Sequence, residues 1–272
     1  MARAGVDTAK VLTMEEGRIL SRAQAAYDRA RGFARVGPVK LPLDRTVLSR
    51  RIEAKLARGT YEGHEAAAAR KLLRDGDVVL ELGGGLGYIS TYLRRMTKIG
   101  RLVTYEANPD LIPYILNVHR INRVKEIEVR HGIVLSDPPG DALPFYIRED
   151  FWDSSLSESE GAVTRIVEVP TVSWSAVLDE LKPSAAIIDI EGGELDLLEE
   201  DSFGSIERLI VEAHPALYGI PGMKRLFDGL AQHGFGYAAN GSSGSVLGPE
   251  RSPTSRPEWP RGASSLRSTS RS

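Results

Sequence analysis

Cysteine is absent from the 272 residues of the sequence. The chain therefore has no disulfide framework, no thiolate nucleophile and no zinc site of the cysteine type. Long apolar runs are missing as well, since no stretch approaches the ~20 apolar residues that a membrane span needs. The first residues, MARAGVDTAKVLTMEEGR, lack the apolar core of a secretory signal. We therefore expect a cytoplasmic protein with an ordinary hydrophobic core and no membrane span.

An excess of one charge sign is also missing from the chain as a whole, because 35 lysines and arginines balance 37 aspartates and glutamates. The balance conceals a basic leader at residues 1–60, with 13 basic and 6 acidic side chains, and an acidic body at residues 61–248, with 17 and 29. The leader could bind an anionic partner or simply pack against the body. Nucleic acid is disfavoured as a partner, because its phosphates would meet the acidic body.

Beyond residue 77, short apolar runs alternate with longer amphipathic segments. The runs predict strands at residues 78–82, 102–105, 127–129, 186–190 and 209–212. The amphipathic segments predict crossover helices at residues 88–96, 111–117, 194–200 and 223–232. Repeated strand-then-helix order predicts an α/β fold, with a mostly parallel, twisted sheet and helices on both faces. Near the end, residues 234–239 and 245–247 flank Asn240-Gly241 and predict a closing antiparallel hairpin.

The segments around this body predict a three-part organisation. We expect residues 1–60 to form a basic helical extension, with one helix from the capping-box pair Thr13 and Glu16 to about Arg35. Further helices are predicted at residues 47–57 and 62–73. Residues 61–248 form the main domain, and residues 249–272 form a disordered tail rich in serine, arginine and proline.

An insertion is predicted within the main domain at residues 138–161, which are too many and too aromatic for a simple connection. It acts as a lid over a substrate or packs as a surface excursion. Its aromatic side chains either stack on a substrate or anchor the insertion; they are Phe145, Tyr146, Phe151 and Trp152.

The most informative motif is the glycine loop after the first predicted strand, at Gly83, Gly85 and Gly87. Glycines let a ligand approach the backbone, and the N–H groups of the following helix are free to bind it. A dinucleotide loop requires a third glycine where Tyr88 stands, which disfavours a nicotinamide cofactor. Glu81 would repel a pyrophosphate and instead suits a ligand with a cationic amino-acid head.

Glu106 ends the second predicted strand, 19 residues beyond Gly87. A carboxylate there can accept hydrogen bonds from both hydroxyls of a ribose. Together with the glycine loop it predicts a site for S-adenosylmethionine, with Glu81 near the methionine ammonium and Glu106 on the ribose. The simpler alternatives are a bare tight turn and an exposed carboxylate at a strand end.

Several blocks of residues resemble the FkbM-type methyltransferases, a family of class I S-adenosylmethionine-dependent enzymes with a Rossmann-like fold. The blocks, within about residues 52–240, are Gly59-x-Tyr61-Glu62-x-x-Glu65, the glycine loop with Glu81, Tyr105-Glu106-Ala107-Asn108-Pro109, Asp189-Ile190-Glu191-Gly192-Gly193-Glu194 and Val211-Glu212-Ala213-His214-Pro215. The resemblance implies methyl transfer to an oxygen, typically a hydroxyl of a sugar or a secondary metabolite, without a metal. It also implies that Tyr61, Ala107 and Asn108 belong to the cofactor site.

The sequence departs from the class I pattern near the adenine. Many class I enzymes carry an acidic residue just after the third strand, close to the adenine amino group, whereas the first acidic residue after that strand in this chain is Asp137.

The chemistry is predicted at the carboxyl ends of the fourth and fifth strands, where Asp189, Glu191 and His214 can converge. Methyl transfer from a sulfonium is an in-line displacement, so the enzyme aligns its substrates and removes the hydroxyl proton. Asp189 and His214 are the first candidates for the base or its orienting partner, and Glu191 is the next. Alternatively, His214 caps the strand end, Glu191 stabilises the next helix and Asp189 shapes the turn. A metal-assisted alternative uses Asp189, Glu191 and Glu212 as ligands of Mg²⁺.

The leading functional prediction is therefore O-methylation of a small metabolite or a saccharide with S-adenosylmethionine as the cofactor. One alternative is a binding or regulatory protein that retains the cofactor site without turnover. The other is a nucleic-acid methyltransferase, which the acidic body and the lack of an Asn-Pro-Pro-Tyr motif disfavour. The motifs leave the acceptor and the oligomeric state open.

Overall fold

The computed structural model describes residues 26, 28–148, 163–198, 202–238 and 241–251. Its strands are β1 (Phe33–Val36), β2 (Val39–Pro42), β3 (Val78–Leu82), β4 (Arg101–Glu106), β5 (Ile127–His131), β6 (Ile133–Leu135), β7 (Ala142–Arg148), β8 (Val163–Ser173), β9 (Ala185–Ile188), β10 (Arg208–Glu212), β11 (Phe235–Tyr237), β12 (Val246–Leu247) and β13 (Pro249–Arg251). Its helices are α1 (Arg50–Arg58), α2 (Gly63–Leu72), α3 (Tyr88–Met96), α4 (Leu111–Ile121), α5 (Trp174–Leu181), α6 (Glu194–Leu198) and α7 (Pro215–Gln232). Within the described ranges, no helix combines the length and the apolar character that crossing a membrane requires.

A mostly parallel sheet occupies the centre of the molecule. Its strand order is β11-β13-β10-β9-β3-β4-β5, and β12 also pairs with β10. The parallel neighbours β5, β4, β3, β9 and β10 follow the 3-2-1-4-5 order of a doubly wound fold. The strand order reverses between β3 and β9, and ligands bind such sheets in the crevice outside the carboxyl ends at that point. The structure confirms the predicted Rossmann-like α/β fold.

Helices cover both faces of the sheet, which is why its central strands are continuous apolar runs. Alternate residues of β3 face opposite layers, as the pleat requires. Val79 faces the layer that contains α1 to α4, whereas Leu80 and Leu82 face the layer that contains α5 to α7. In the second layer, the fully buried Trp174 meets Phe203 edge-on, with 5.3 Å between the ring centroids.

The predicted strands of the body are present as β3, β4, β5, β9 and β10, and the predicted helices as α1, α2, α3, α4, α6 and α7. The largest difference in bounds concerns α7, which begins at Pro215 and not at residue 223. Gly219 and Pro221 interrupt its helical pattern, and the helix is kinked at Gly219. The sequence analysis did not predict β6, β7, β8 or α5.

A β-hairpin replaces the end of the first predicted helix. Residues 33–42 form β1 and β2, whereas the sequence predicted a helix to about Arg35. More and less buried side chains alternate in both strands, a period of two that suits a strand and not a helix. Asn122 fixes the hairpin, because its Oδ1 accepts from the Lys40 N–H at 2.9 Å and its Nδ2 donates to the Lys40 carbonyl at 2.7 Å. Residues 13–25 of the predicted helix lie outside the described residues.

The carboxyl-terminal strands pair differently from the predicted hairpin. β11 pairs with β13 and not with β12, which pairs with β10. β13 consists of Pro249–Arg251, which the sequence analysis assigned to the disordered tail. It forms because the edge of β10 still offers backbone groups, and the Arg251 N–H donates to the Glu207 carbonyl at 2.7 Å. Residues 252–272 and Asn240 lie outside the described residues.

The predicted insertion at residues 138–161 contains β7, which pairs with β8 beyond the insertion, and β8 also pairs with β6 in a three-stranded sheet. A small apolar cluster of Phe145, Ile147 and Val169 anchors this sheet. Phe145 thus has an anchoring contact, and it also lines the cavity described below. Phe151 and Trp152 lie outside the described residues.

A buried ion pair ties together the amino ends of three central strands. Asp77 precedes β3, Ser184 precedes β9 and Arg208 begins β10. Arg208 Nη2 donates to Asp77 Oδ1 at 2.5 Å, and both side chains are at most 5% exposed. Ser184 Oγ donates to the same oxygen at 2.7 Å and accepts from the Val78 N–H at 3.2 Å. This network fixes the strands at the end opposite the ligand crevice.

Removing one member of this pair should strongly destabilise the fold. Arg208→Met leaves the Asp77 carboxylate buried without its cation, and we expect a loss of about 3 kcal/mol in urea denaturation. The double variant Asp77→Asn/Arg208→Met should recover much of that loss, because it buries no unpaired charge. Arg74→Met, at a side chain that is 66% exposed, is the matched control and should cost little. Equal losses in Arg208→Met and Arg74→Met would contradict the assignment.

Candidate functional site

A cavity of about 760 Å³ opens at the carboxyl ends of β3, β4, β9 and β10. The predicted site residues that line it are Tyr61, Gly83, Gly85, Glu106, Ala107, Asp189, Glu191 and His214. The predicted residues Glu81, Gly87 and Asn108 lie outside its lining. The structure thus brings the glycine loop and the candidate catalytic residues to one space.

The glycine loop approaches both β9 and the start of α2. A Cβ at Gly83, whose φ is 89°, would lie 1.8 Å from the Asp189 carbonyl oxygen, so a side chain cannot be accommodated there. A Cβ at Gly85 would lie 3.3 Å from the Tyr61 hydroxyl and would narrow the cavity. Gly87 has a different role, because it begins α3 with a φ of 68° and packs against α4.

Glu106 connects the glycine loop to the end of β4. Its Oε2 accepts from the Gly85 N–H at 2.8 Å, and its Oε1 accepts from the Asn108 N–H at 2.7 Å. The N–H groups of Ala107 and Gly84 also interact with this carboxylate. Burial raises the pKa of Glu106 to about 7, although the backbone N–H groups favour its ionised form. Asn108 shapes the backbone, because its Oδ1 accepts from the Asp110 N–H at 3.0 Å before α4.

The side chain of Glu81 lies behind the glycine loop and not in the cavity. It is 2% exposed, lies beside Thr104 and Glu106, and shares the face of β3 that Val79 occupies. Burial raises the pKa of Glu81 to about 8. Its Oε2 has no hydrogen-bond partner among the described residues. The structure therefore does not bring Glu81 together with the residues that line the cavity.

His214 stands at the centre of a cluster of carboxylates. It lies between β10 and α7, whereas Asp189 and Glu191 follow β9. The His214 Nε2 atom lies 3.5 Å from Asp189 Oδ1 and 3.2 Å from Glu191 Oε2. The Nδ1 atom lies 3.1 Å from Glu194 Oε1. One imidazole ring thus contacts all the candidate catalytic carboxylates.

Glu194 holds the turn that positions this cluster. It is fully buried, and its two carboxylate oxygens accept from the Ile190 N–H at 3.1 Å and the Gly192 N–H at 2.9 Å. The turn contains Glu191 in the left-handed region with a φ of 51°, a strained conformation for a residue with a side chain. Glu194 also lies in the first turn of α6, where the helix dipole favours negative charge.

Crowding of carboxylates shifts the pKa values of the cluster. Burial, followed by repulsion from Glu212 and Glu191, raises the pKa of Asp189 well above its usual range. For His214, burial opposes the charged form, but the interactions with Glu194 and Glu191 outweigh it and raise its pKa. The cluster therefore favours a positive charge at its centre.

The sequence analysis named Glu62 and Glu65 only within a motif of the family resemblance and did not name Tyr218, yet all three line the cavity. Glu65 is 7% exposed, and its pKa is raised by burial and then by the charge of Glu212. The Tyr218 hydroxyl accepts from the His214 backbone N–H at 2.5 Å. Tyr218 follows His214 by one helical turn, and this spacing was the available signal.

A set of possible metal ligands lies within the cluster. Asp189, Glu212 and His214 offer ligand atoms that are all within 4.8 Å of one another. Two carboxylates and an imidazole are suitable donors for a divalent cation. The metal-assisted alternative in the sequence analysis named Asp189, Glu191 and Glu212 as ligands. The set found in the structure contains His214 and not Glu191.

Comparison with known proteins relates the chain to one family. A model of the FkbM methyltransferase domain matches residues 77–237, which is more than half of the chain. No curated protein matches the sequence.

Several solved methyltransferase structures are similar to the chain at low identity. Precorrin-6y C5,15-methyltransferase from Geobacter metallireducens is 13% identical, with 76% of this chain and 88% of that chain covered and a TM-score of 0.39. A putative tRNA (m1A22) methyltransferase from Streptococcus pneumoniae, in complex with S-adenosyl-L-methionine, is 16% identical, with 71% and 75% covered and a TM-score of 0.43. A TehB-like methyltransferase from Corynebacterium glutamicum is 12% identical, with 75% and 95% covered and a TM-score of 0.41.

The buried carboxyl of Glu81 predicts a specific dependence of stability on pH. Its pKa rises from 4.5 to about 8 on folding, so between these values the folded chain holds a proton that the unfolded chain releases. Stability therefore falls as the pH rises through this window. Glu81→Gln should remove this loss, and the free energy of unfolding of the variant relative to wild type should increase by roughly 4 kcal/mol between pH 5 and pH 9. Urea denaturation across this pH range measures the effect.

Glu168→Gln, at an exposed carboxylate on β8, is the control and should keep the pH dependence of the wild type. Parallel pH profiles for the wild type and Glu81→Gln would contradict the prediction.

Proposed function

Because the chain belongs to the FkbM methyltransferase family, we propose that it transfers a methyl group from S-adenosylmethionine to a hydroxyl oxygen of a small metabolite or a saccharide. One observation carries the proposal: the glycine loop with Glu106 and the cluster of Asp189, Glu191 and His214 line the same cavity. This cavity lies where the strand order reverses, which is the usual ligand position in an open α/β sheet. Methyl donor and acceptor can therefore bind side by side.

The residues around the glycine loop fit a cofactor that carries a ribose. Gly85 lacks the Cβ that would point toward Tyr61, so the loop backbone is open to the cavity. Backbone N–H groups orient the Glu106 carboxylate, and a carboxylate at this strand end can accept hydrogen bonds from ribose hydroxyls. The residues that would hold the cofactor are Tyr61, Gly83, Gly85, Glu106 and Ala107. When bound, the cofactor supplies an electrophilic methyl group. The other predicted residues, Glu81, Gly87 and Asn108, lie outside the cavity lining and shape the loop from behind.

The carboxylate cluster suits the removal of a proton from the acceptor. A hydroxyl must lose its proton as it is methylated, so a positioned base accelerates the reaction. We assign this base to the pair of Asp189 and His214, whose side chains lie 3.5 Å apart, with Glu191 as the neighbouring carboxylate. Glu194 fixes the His214 ring from its other nitrogen. An already neutral amine needs such a base less, and the cluster therefore favours an oxygen acceptor.

Cofactor binding should depend on the glycine loop and on Glu106. Gly85→Asp fills the space beside Tyr61 with a charged side chain, and Glu106→Ala removes the ribose acceptor. Each should weaken binding of S-adenosylmethionine at least ~10-fold in isothermal titration. Gly140→Asp and Glu168→Ala, at positions outside the cavity, are the matched controls and should bind as the wild type does. A folded wild-type protein that does not bind the cofactor would contradict the proposal.

Substitutions in the carboxylate cluster should reduce turnover much more than they weaken cofactor binding. Asp189→Asn keeps the shape of the side chain but removes its basicity, so release of S-adenosylhomocysteine should fall by about 100-fold or more with little change in cofactor affinity. The assay screens a panel of hydroxylated small molecules and saccharides.

Asp179→Asn, at an exposed position on α5, is the control and should retain full turnover. Cofactor binding without acceptor-dependent release of S-adenosylhomocysteine would favour the regulatory alternative. Release that requires RNA or DNA would favour the nucleic-acid alternative.

A further inference from the structure

The acidic wall of the cavity contains more carboxylates than a single base requires. Asp189, Glu212 and His214 come from the ends of β9 and β10, and their ligand atoms lie within 4.8 Å of one another. We propose that these three side chains bind a divalent first-row cation of the Mn²⁺ class beside the methyl acceptor. Binding of the cation depends only on these side chains, whereas its role in catalysis rests on the proposed methyl transfer.

His214 has carboxylates on both sides of its ring. Its Nδ1 lies 3.1 Å from Glu194 Oε1 without hydrogen-bond geometry, and Glu194 is held in place by two backbone N–H groups. A carboxylate beside one ring nitrogen is common in metal-binding histidines, in which the other nitrogen is the ligand. That other nitrogen, Nε2, faces Asp189 at 3.5 Å and Glu191 at 3.2 Å. A cation would bring these electron-rich atoms together.

Glu65 provides an independent observation from a different part of the chain. It belongs to α2, its side chain is 7% exposed, and it lines the same cavity. Its Oε2 has no hydrogen-bond partner within the described ranges, although the Glu65 carboxyl lies within hydrogen-bond reach of the Glu212 carboxyl. A buried carboxylate oxygen without a donor is costly unless a proton or a cation compensates it. Glu65 therefore supports the cation site from α2, next to the proposed ligand Glu212.

The charges around the cavity also favour a cation. The carboxyl side chains in its lining are Glu62, Glu65, Glu106, Asp189, Glu191 and Glu212. The basic side chains in its lining are Lys55, His64 and His214. An excess of one charge sign in a cleft raises the local concentration of ions of the opposite sign. The lining thus attracts cations before any ligand geometry selects among them.

The donor set indicates the kind of cation and its role. One imidazole nitrogen with two carboxylate oxygens suits Mn²⁺, Fe²⁺ or Zn²⁺, whereas Mg²⁺ and Ca²⁺ prefer oxygen ligands. Three protein ligands leave coordination positions open, as in catalytic metal sites. With a cation bound, an acceptor hydroxyl at an open position would become more acidic, and Glu191, which lies outside the ligand set, would replace Asp189 and His214 as the group that takes its proton. Asp189 and His214 then act through the cation, in contrast to the metal-free reaction that the family resemblance implies.

The test is a titration of Mn²⁺ into the full-length protein after treatment with EDTA, followed by electron paramagnetic resonance. We expect one bound Mn²⁺ per chain, with a nitrogen coupling in the pulsed spectrum that disappears in His214→Ala. Glu212→Gln should weaken binding at least ~10-fold, and Glu65→Gln should weaken it less. Glu168→Gln is the control and should bind Mn²⁺ as the wild type does.

The absence of saturable Mn²⁺ binding by the folded wild type would overturn the inference. Binding that His214→Ala and Glu212→Gln leave unchanged would also overturn it, provided that circular dichroism finds both variants folded. The titration contains neither cofactor nor acceptor, so its result is separate from the proposed function. A bound Mn²⁺ with the expected nitrogen coupling, in a protein that releases no S-adenosylhomocysteine, would support the cation site and contradict only the methyl-transfer proposal.

Discussion

The close approach of β3 to β9 is the constraint on which the rest of the site depends. Their parallel pairing continues past both strands, because the Asp189 N–H donates to the Leu82 carbonyl at 3.0 Å. One residue further, a Cβ at Gly83 would lie 1.8 Å from the Asp189 carbonyl oxygen. Glycine at this position lets the two strand ends meet, and the Gly83 and Gly84 N–H groups then turn to the Tyr105 carbonyl on β4. Backbone contacts therefore hold the loop that fits a cofactor beside the first carboxylate of the acidic cluster, and the side chains of Glu106 and Glu194 add further contacts.

The amino ends of the central strands stabilise the sheet, whereas their carboxyl ends form the cavity. At the amino ends, Asp77 and Arg208 satisfy each other in a buried network that also includes Ser184. At the carboxyl ends, carboxylates crowd together and two residues with side chains, Glu62 and Glu191, adopt left-handed backbone conformations. Strain and like-charge crowding both lower stability, so they persist only where the surrounding structure holds them. The network at the amino ends and the two apolar layers provide that support for the cavity.

Periodic patterns predicted the central fold well, because each pattern reported a local physical requirement. The buried run of β3 and the amphipathic α3 match their predicted bounds, since strands covered on both faces are continuously apolar and helices expose one side. Pairing between distant segments was not predictable in this way. The exchange of partners among β10 to β13 depends on which sheet edge is available, and no local pattern records it.

Glu81 illustrates the same limit at the site: its position next to the glycine loop indicated a ligand contact, but the pleat turns its side chain toward α3. By contrast, residues that follow the strand ends, such as Asp189 and His214, reach the cavity because their place depends on topology.

Two parts of the chain line the cavity. The glycine loop, Glu106 and the cluster around His214 lie within residues 77–237, the range that the family model matches. Lys55, Tyr61 and Glu65 come from before that range, and Phe145 comes from β7 within it. A shared fold and a shared chemistry do not fix a substrate, because pocket shape comes from the elements that surround the reacting groups. Residues outside the matched range therefore contribute to the shape and charge of the cavity, together with an aromatic ring from β7.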